Sequence, residues 1–381
     1  MKVALVHDWI TGMRGGEKCL QDFLTLYPDA DVYTLLHKRG VTTPQIDARV
    51  VQTSILQNIP SAERYYKALL PFYPMAAKSL KIKGYDLVVS LSHAAAKNIS
   101  LEDNAFHISY CFTPMRYIWD QAPQYFGRSL PLAWPLIKGL RAWDVEGSKR
   151  VTAFVGISSF VAARIRCFYG RKSDVIYPAV DTAWIKPAKK GTQGDFFLYA
   201  GATVPYKRVD LVIEACNRLQ LPLYIAAEES AALKKIAGST VKFVGKPSNA
   251  ELAELYRSCR ALIFPGKEDF GMVPVECLSA GRPVIGLGSG GLKETINGIK
   301  HWECSGIKSE EVAQKHFSGV FIQDRYKKEE EMLQAVIAAV AFFRDHEEAF
   351  DVEDCVKQAR CFAPQRFFSS WQALLQRCKL G

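Results

Sequence analysis

Two glutamates eight residues apart, Glu268 and Glu276, lie in a stretch that combines charged residues with glycines and prolines. Gly271 and Pro274 stand between them, so the spacing predicts Glu268 on a loop and Glu276 in the first turn of a helix. Both carboxylates are then expected to accept hydrogen bonds from hydroxyls of a sugar or a ribose. Two solvated surface acids are the alternative interpretation. The amides at the helix start are a candidate anion site, and they belong to Phe270, Gly271, Met272 and Val273.

A second candidate is Lys207, which follows a predicted strand at 196–200 and a loop that begins with a glycine. It stands at the entrance of a helix predicted over 209–219. A cation at a helix entrance is a phosphate-binding arrangement, and Arg208 beside it adds another positive charge. An ordinary Lys-Arg pair on the surface is the alternative.

A third candidate is the loop predicted at 7–16, between a buried strand at 3–6 and a helix from Glu17. Gly15 and Gly16 permit a ligand to approach the backbone closely, and the helix N-terminus favours an anion. A plain strand-to-helix turn is the alternative.

Polar residues also follow two further predicted strands, at 87–90 and 107–111. His93 comes after the first strand and Arg116 after the second. Loops at strand ends carry the ligand contacts of a doubly wound sheet. His93 is therefore a candidate contact, although a lone histidine is as often structural.

Strands and helices alternate along the whole chain, which predicts an α/β protein with doubly wound parallel sheets. A chain of 381 residues is long for one core, so two domains are expected. We predict an N-terminal domain over 1–185 and a C-terminal domain over 186–363. The polar, basic segment 186–194 has the composition of a linker, and the remaining residues 364–381 carry a last helix.

These motifs together resemble the retaining GT-B glycosyltransferases of family 4, and within them the bacterial mannosyltransferases of O-antigen and exopolysaccharide assembly. The resemblance covers nearly the whole chain and includes the Glu-x7-Glu pair. The stretches that carry it are HDWITGMRGGEK, SLSHAAAK, YCFTPMRYIWD, VPYKRVDLVIEA and FPGKEDFGMVPVE.

The resemblance implies two Rossmann-like domains that face a cleft, with the last helix crossing back to the first domain. It implies that Lys207 contacts the diphosphate of a nucleotide-sugar donor, that Glu268 holds the donor sugar and that Glu276 holds the ribose. Lys207 and Glu268 are thus the expected catalytic residues. Further donor contacts are expected from Gly15, Gly16, Arg208, Gly245 and Lys246, and acceptor-side positions from Asp8, His93 and Arg116.

The resemblance also implies the reaction. A hexose, by default mannose from a GDP-linked donor, would pass with retention to a lipid-linked or oligosaccharide acceptor, without a metal or another cofactor. The sequence leaves open whether the donor base is guanosine or uridine.

Two positions depart from the family pattern. Phe112 stands where members commonly have a histidine that contacts the donor sugar, so the sugar is a deoxy or otherwise altered one, or this contact is lost. Ala202 stands where an arginine usually supplies a second cation to the diphosphate, a role for which Arg208, Arg14 or Lys267 are replacements. These departures keep a different class open, in which the fold serves as a non-catalytic partner subunit or glycan-binding module.

Composition narrows the class of protein further. The net charge of +10 is compatible with nucleotide phosphates and with anionic lipid, and no nucleic-acid-binding motif accompanies it. Ten cysteines without a C-x-x-C pair predict reduced thiols rather than a zinc site. No apolar run is long enough for a membrane span and the N-terminus lacks a signal peptide, so we expect a cytoplasmic location.

Two segments of mixed aromatic, apolar and basic residues, 61–83 and 128–150, are candidates for contact with the inner face of the plasma membrane. Ordinary helices that cap the first domain are the alternative.

Two other motifs receive ordinary interpretations. Asp29 and Asp31 match a metal-binding Asp-x-Asp pattern but are expected to form a polar turn. The glycines at 286–291 match a dinucleotide fingerprint with acids near residue 310, yet their late position favours a loop close to donor phosphates.

Overall fold

The computed structural model describes residues 1–66, 68–101, 104–189, 191–304, 306–326 and 328–380. The chain forms two compact units, the first comprising Met1–Pro178 with Phe368–Gly381 and the second Ala179–Phe367. The division therefore falls after Pro178, earlier than the predicted residue 185. One reason is that the Val180 amide donates to the Phe362 carbonyl at 2.9 Å, which ties the segment after Pro178 to the second unit. Lys190, in the predicted linker, lies outside the described residues.

The first unit contains a sheet of seven strands, all parallel, in the order β3-β2-β1-β4-β5-β6-β7. The strands are β1 (Val3–Ile10), β2 (Asp31–His37), β3 (Val50–Thr53), β4 (Leu87–Ser92), β5 (Phe106–Cys111), β6 (Ala153–Gly156) and β7 (Asp174–Val175). The helices of this part of the chain are α1 (Gly15–Leu26), α2 (Pro44–Arg49), α3 (Ala62–Tyr65), α4 (Tyr73–Ser79), α5 (Ala122–Phe126), α6 (Leu130–Lys149) and α7 (Ser159–Tyr169).

The second unit repeats this architecture with the order β10-β9-β8-β11-β12-β14-β13. Its strands are β8 (Phe197–Ala200), β9 (Leu223–Ala226), β10 (Val241–Phe243), β11 (Leu262–Phe264), β12 (Val284–Leu287), β13 (Gly298–Ile299) and β14 (Gly319–Ile322). The helices are α8 (Val209–Leu219), α9 (Ala231–Ile236), α10 (Asn249–Ser258), α11 (Met272–Ser279), α12 (Leu292–Thr295), α13 (Ser309–Ala313), α14 (Glu329–Asp345), α15 (Val352–Arg360) and α16 (Pro364–Arg377), the last of which continues into the first unit.

Both sheets reverse their direction of winding near the centre, and the second sheet also places β14 between β12 and β13 at one end. In the first unit this switch lies between β1 and β4, and in the second between β8 and β11. The loops that follow these neighbouring strands diverge to opposite faces of the sheet and leave a crevice at the carboxyl ends, which is where doubly wound proteins bind ligands. The two switch points therefore locate the candidate sites.

The first strand is longer than predicted. It runs to Ile10 and is buried along all eight residues, so His7 and Asp8 lie in the strand and not in the following loop. Strands of a parallel sheet are covered on both faces and usually apolar. Asp8 is tolerated there because its carboxylate receives hydrogen bonds from the next segment of backbone, as described below.

Among the described residues, no helix has the length and apolarity needed to cross a bilayer. Helix α6, which fills most of the predicted segment 128–150, contains Pro135.

The last helix is anchored in the first unit by Trp371. Its side chain is fully buried, its indole N–H donates to the Tyr27 hydroxyl at 2.8 Å, and its ring lies 4.7 Å from that of Phe23. A large aromatic side chain thus fixes the chain terminus to α1.

We predict that Trp371→Ala lowers the free energy of unfolding of the first unit by about 3–5 kcal/mol, since it leaves a cavity and an unpaired tyrosine hydroxyl. Thermal and urea unfolding measure this change. The exposed Gln372, next to it on the same helix, provides the control Gln372→Ala. Equal stability of the two variants would contradict the anchoring role.

Candidate functional site

The switch point of the second unit brings Lys207 and Glu268 into contact. Lys207 ends a 3-10 turn, Pro205–Lys207, in the loop after β8, whereas Glu268 lies in the loop after β11. The Lys207 ammonium donates to Glu268 Oε1, and the two side chains are only 15% and 16% exposed. The sheet thus joins a cation and a carboxylate that are 61 residues apart in sequence.

Aromatic rings contact the lysine of this pair. Lys207 Nζ is 5.1 Å from the centroid of Phe264 and 5.5 Å from that of Tyr206, within the range of cation–π attraction. Tyr199 stacks on Phe264 at 6.0 Å and donates its hydroxyl hydrogen bond to the Ala202 carbonyl at 2.7 Å. Burial, with the Glu268 charge as a lesser cause, raises the pKa of Tyr199, so its hydroxyl stays protonated.

Glycines allow the backbone segments around the pair to approach each other. A Cβ at Gly266 would lie 3.0 Å from Lys207 Cα, and one at Gly290 would lie 2.4 Å from the Glu268 carbonyl oxygen. The Gly291 amide donates to that same oxygen at 2.8 Å. Gly290 and Gly291 thus permit contact with the Glu268 loop, which is a physical reason for them other than a dinucleotide site.

Helix α11 begins directly after this loop. Gly271 is its N-cap at φ +102°, where a Cβ would meet Leu292 at 2.6 Å. The helix starts at Met272, two residues before Pro274, so the amides of Met272 and Val273 belong to its first turn. Phe270 is buried and its carbonyl accepts from Thr295 Oγ1 at 3.4 Å.

Glu276 is buried, which argues against the alternative of a solvated surface acid. It lies one turn further along α11, is 5% exposed, and accepts a hydrogen bond from the Tyr256 hydroxyl at 3.1 Å. Burial and the Glu276 charge raise the pKa of Tyr256, which keeps the phenol as a donor. Tyr256 was not anticipated from the sequence, because nothing in its position on α10 indicates a contact with Glu276 on α11.

The structure does not bring Arg208 to the Lys207–Glu268 pair. Arg208 adopts the left-handed conformation at φ 54°, and its guanidinium pairs with Asp210 at 3.0 Å and Glu329 at 3.3 Å. Lys267, another suggested replacement for the arginine missing at Ala202, lies beside the glycine loop and is 55% exposed. Its Nζ is 4.0 Å from Asp324, and its Cγ lies 3.5 Å from the position of a Cβ at Gly290.

Gly245 and Lys246 lie beyond β10 at the edge of the second sheet. Gly245 has φ +72°, and Lys246 is exposed in an ion pair with Glu228 at 3.2 Å. Lys246 also lines a pocket of about 450 Å³ together with the stacked rings of Phe196 and Tyr224.

At the switch point of the first unit, the Asp8 carboxylate is fully buried and accepts four backbone N–H groups. They belong to His93, Ala94, Ala95 and Ala96, at 2.6–2.9 Å. Asp8 therefore fixes the loop after β4 to β1. The structure gives Asp8 this positional role, and its acceptor-side location stays a prediction.

His93 is held in the same cluster. Its Nδ1 lies 3.1 Å from Asp8 Oδ2, and its ring meets Trp9 edge-on at 4.4 Å. Burial lowers the pKa of His93, although the Asp8 charge opposes that change. The ring centroid of Phe112 lies 6.1 Å from that of His93 and 6.2 Å from that of His7. The residue that stands in place of the family's usual histidine therefore packs near two other histidines.

The glycine loop of the first unit covers this cluster. Helix α1 begins at Gly15, with Arg14 as N-cap, and a Cβ at Gly16 would lie 3.1 Å from His7 Nε2. His7 is buried; its Nδ1 contacts the Trp9 carbonyl at 3.0 Å, and its Nε2 has no hydrogen-bond partner among the described residues. His7 was not singled out from the sequence.

Arg116 lies in a loop that Arg164 fixes from α7. The Arg164 guanidinium donates to Thr113 Oγ1 at 2.6 Å and to Asp120 Oδ1 at 2.5 Å. Arg116 itself is half-buried. Nothing in the sequence indicated that Arg164 is the shared partner of these two loop residues.

A buried hydrogen-bond network in the first unit is centred on Asp144. The Lys97 ammonium donates to Asp144, whose other oxygen accepts from Trp119 Nε1 and from the Tyr169 hydroxyl, each at 2.8 Å. Lys97 and Asp144 are both fully buried. The network joins the loops after β4 and β5 to α6 and α7.

No group of three or more His, Cys, Asp or Glu side chains suited to a metal ion occurs among the described residues. The two aspartates of the Asp-x-Asp pattern are engaged elsewhere. Asp29 accepts from Arg49 at 2.6 Å, and Asp31 opens β2 and accepts from the Tyr85 hydroxyl at 2.6 Å.

The candidate donor site falls within a segment with known relatives. Residues 180–313 match the protein family described as Glycosyl transferases group 1, and this segment contains Lys207, Glu268 and Glu276. An uncharacterized glycosyltransferase of Methanocaldococcus jannaschii is 35% identical over 114 residues, which cover 27% of this chain and 32% of that protein. The O-antigen chain mannosyltransferase C of Escherichia coli is 31% identical over 123 residues, 30% of this chain and 33% of that protein.

Similarity of structure extends over the full chain. The Anabaena HepE protein, solved in complex with UDP-glucose, matches with a TM-score of 0.65 at 15% identity, over 99% of this chain and 100% of that one. The predicted fold class, two doubly wound parallel-sheet units of the GT-B type, is confirmed, and residues 180–313 of the second unit are similar to the group 1 glycosyl transferases. In sequence, the chain spans about a third of the length of the curated relatives it matches.

We predict that Asp8→Asn destabilises the first unit by more than about 2 kcal/mol, because an amide replaces a charged acceptor of four N–H groups. Thermal unfolding measures the loss. Asp29→Asn, at a side chain that is 95% exposed, is the matched control and should leave stability unchanged. A similar small effect of both substitutions would show that Asp8 does not fix the loop.

Proposed function

We propose that the protein is a glycosyltransferase that moves a hexose from a nucleoside diphosphate sugar to a hydroxyl of a lipid-linked or cell-surface glycan. The observation that carries this proposal is the contact of Lys207 with Glu268 at the switch point of the second unit. A cation and a carboxylate side by side suit a ligand that has an anionic part next to a polyhydroxyl part. A nucleotide sugar has both.

In this proposal Lys207 faces the diphosphate and stabilises the negative charge that develops as the leaving group departs. The amides of Met272 and Val273, at the start of α11, are further donors for that charge. Glu268 accepts hydrogen bonds from the sugar hydroxyls and so fixes the anomeric carbon relative to the acceptor. Fixed cations and amides take the role of a metal ion, so the proposed reaction is metal-independent; retention of configuration is proposed from the family resemblance.

The proposed donor is GDP-mannose or a related sugar. The similarity to the O-antigen chain mannosyltransferase C of Escherichia coli supports this choice, and that similarity covers 30% of this chain. Phe112 favours a donor sugar that lacks a hydroxyl at the position a histidine would contact, because a phenyl ring forms no hydrogen bond to it.

Phe112 and Ala202 also favour the second candidate, a non-catalytic subunit or glycan-binding module. A binding panel separates the two candidates. GDP, UDP, ADP and dTDP, with their common sugar conjugates, are titrated with and without magnesium by calorimetry. Binding of one nucleotide without metal supports the enzyme and identifies its base, whereas binding of a glycan and of none of the nucleotides at millimolar concentration supports the module.

We predict that Lys207→Ala weakens binding of the nucleoside diphosphate by roughly 10- to 150-fold, since a charge-assisted hydrogen bond to phosphate contributes about 1.5–3 kcal/mol. Transfer to the acceptor should fall at least as far. The control is Lys300→Ala, which removes an exposed lysine of the same unit that pairs with Glu303. Unchanged nucleotide affinity in Lys207→Ala would contradict the assignment.

We further propose that the first unit contacts an anionic membrane surface at the inner face of the plasma membrane, where a lipid-linked acceptor is held. Residues 64–85 and 121–143 contain no acidic side chain, and both segments contribute to one apolar core cluster. Large apolar side chains are exposed on them, among them Leu132 at 87% and Tyr65 at 60%. Basic residues beside exposed apolar ones suit anionic headgroups.

We predict that the protein sediments with vesicles containing an anionic lipid at low salt and that Leu132→Glu reduces this binding severalfold. The matched control is Ile236→Glu, which changes an exposed apolar residue of the second unit. Equal binding to anionic and uncharged vesicles, or equal effects of the two substitutions, would contradict this surface.

A further inference from the structure

The Lys207–Glu268 pair has a consequence for product release. We propose that Glu268 competes with the diphosphate for Lys207, so that this carboxylate weakens the hold on a bare nucleoside diphosphate while it strengthens the hold on the sugar conjugate. The inference rests on the proposed function and adds to it a residue that distinguishes donor from product.

The first step of the argument is that both partners are attached to rigid backbone. The Lys207 amide donates to the Val204 carbonyl at 2.9 Å, and the strand-end loop at Gly266 lies against Lys207 Cα. The Glu268 carbonyl is held by the Gly291 amide at 2.8 Å, with Gly290 packed on it. The two loops therefore keep the ammonium and the carboxylate close, and only side-chain rotation changes their partners.

The second step concerns charge. An ammonium group offers three donors, so Lys207 can bond a phosphate oxygen and Glu268 together. A phosphate oxygen bound to Lys207 then lies within a few ångströms of the Glu268 carboxylate. The phosphate and the Glu268 carboxylate are both anionic. The side chains of Lys207 and Glu268 are only 15% and 16% exposed, which limits screening of this repulsion by water. Without a further donor for Glu268, the carboxylate repels the diphosphate and draws the ammonium toward itself.

The third step concerns the sugar. In a nucleotide sugar, the hydroxyls next to the diphosphate donate to Glu268 and satisfy the carboxylate that Lys207 no longer serves fully. After transfer the sugar has left, so Glu268 bonds Lys207 again. The diphosphate then loses part of its contact with the Lys207 ammonium. The same carboxylate thus favours the donor and disfavours the product.

The test compares two ligands on one variant. We expect Glu268→Gln, which keeps the shape and removes the charge, to bind GDP about tenfold more tightly and GDP-mannose more weakly than the wild type. Calorimetry measures both affinities. If the wild-type binding panel identifies uridine as the base, UDP and its sugar conjugate are used in place of GDP and GDP-mannose. Glu214→Gln removes one charge from α8 at an exposed pair with Arg218 and should change neither affinity.

A merely structural role of Glu268 would weaken both ligands together, and thermal unfolding of Glu268→Gln establishes that the variant is folded. GDP affinity that is unchanged or lower in Glu268→Gln, in a protein whose wild type binds GDP, overturns the inference and leaves the proposed function standing. Failure of the wild type to bind any nucleotide overturns both. In the background of Lys207→Ala, the gain in GDP affinity from Glu268→Gln should shrink, because the contested cation is absent.

Discussion

The arrangement of this protein depends on the reversal of strand order in each of its two parallel sheets. Neighbouring strands at the reversal send their loops to opposite faces, and the space between those loops is accessible only from the carboxyl ends. In the second unit this geometry places Lys207 after β8 beside Glu268 after β11. The close packing of glycines against both loops then fixes the distance between a cation and a carboxylate. The proposed chemistry follows from that single contact.

The first unit uses its reversal differently. A buried carboxylate, Asp8, binds the backbone of the following loop, and a second buried carboxylate, Asp144, joins Lys97 to aromatic donors of two other segments. Unpaired, such charges would be costly in the interior, so each is surrounded by donors. The result is a rigid platform around His7, His93 and Phe112 beneath the glycine loop. In the proposed function this fixed cluster belongs to the acceptor side, and the Lys207–Glu268 pair belongs to the donor side.

Much of this could be predicted from the sequence. Helix α8 has the predicted bounds, and strands β4, β5 and β8 agree with theirs to within two residues, because the apolar patterns that define them are local. What could not be predicted depends on contacts between distant residues. The extension of β1 to Ile10 buries Asp8, whose carboxylate accepts hydrogen bonds from four backbone amides of a distant loop. The Tyr256 contact with Glu276 depends on the packing of α10 on α11. Arg208 could be placed beside Lys207 in sequence, but its left-handed backbone turns it toward Asp210.

The most direct test of the account is a crystal structure of the protein with its nucleotide sugar. The account predicts that the diphosphate lies at the carboxyl ends of β8 and β11, with a phosphate oxygen within about 3.2 Å of Lys207 Nζ and a sugar hydroxyl at Glu268. A nucleotide bound elsewhere, such as at the pocket beside Lys246 with Lys207 and Glu268 untouched, would contradict the central claim.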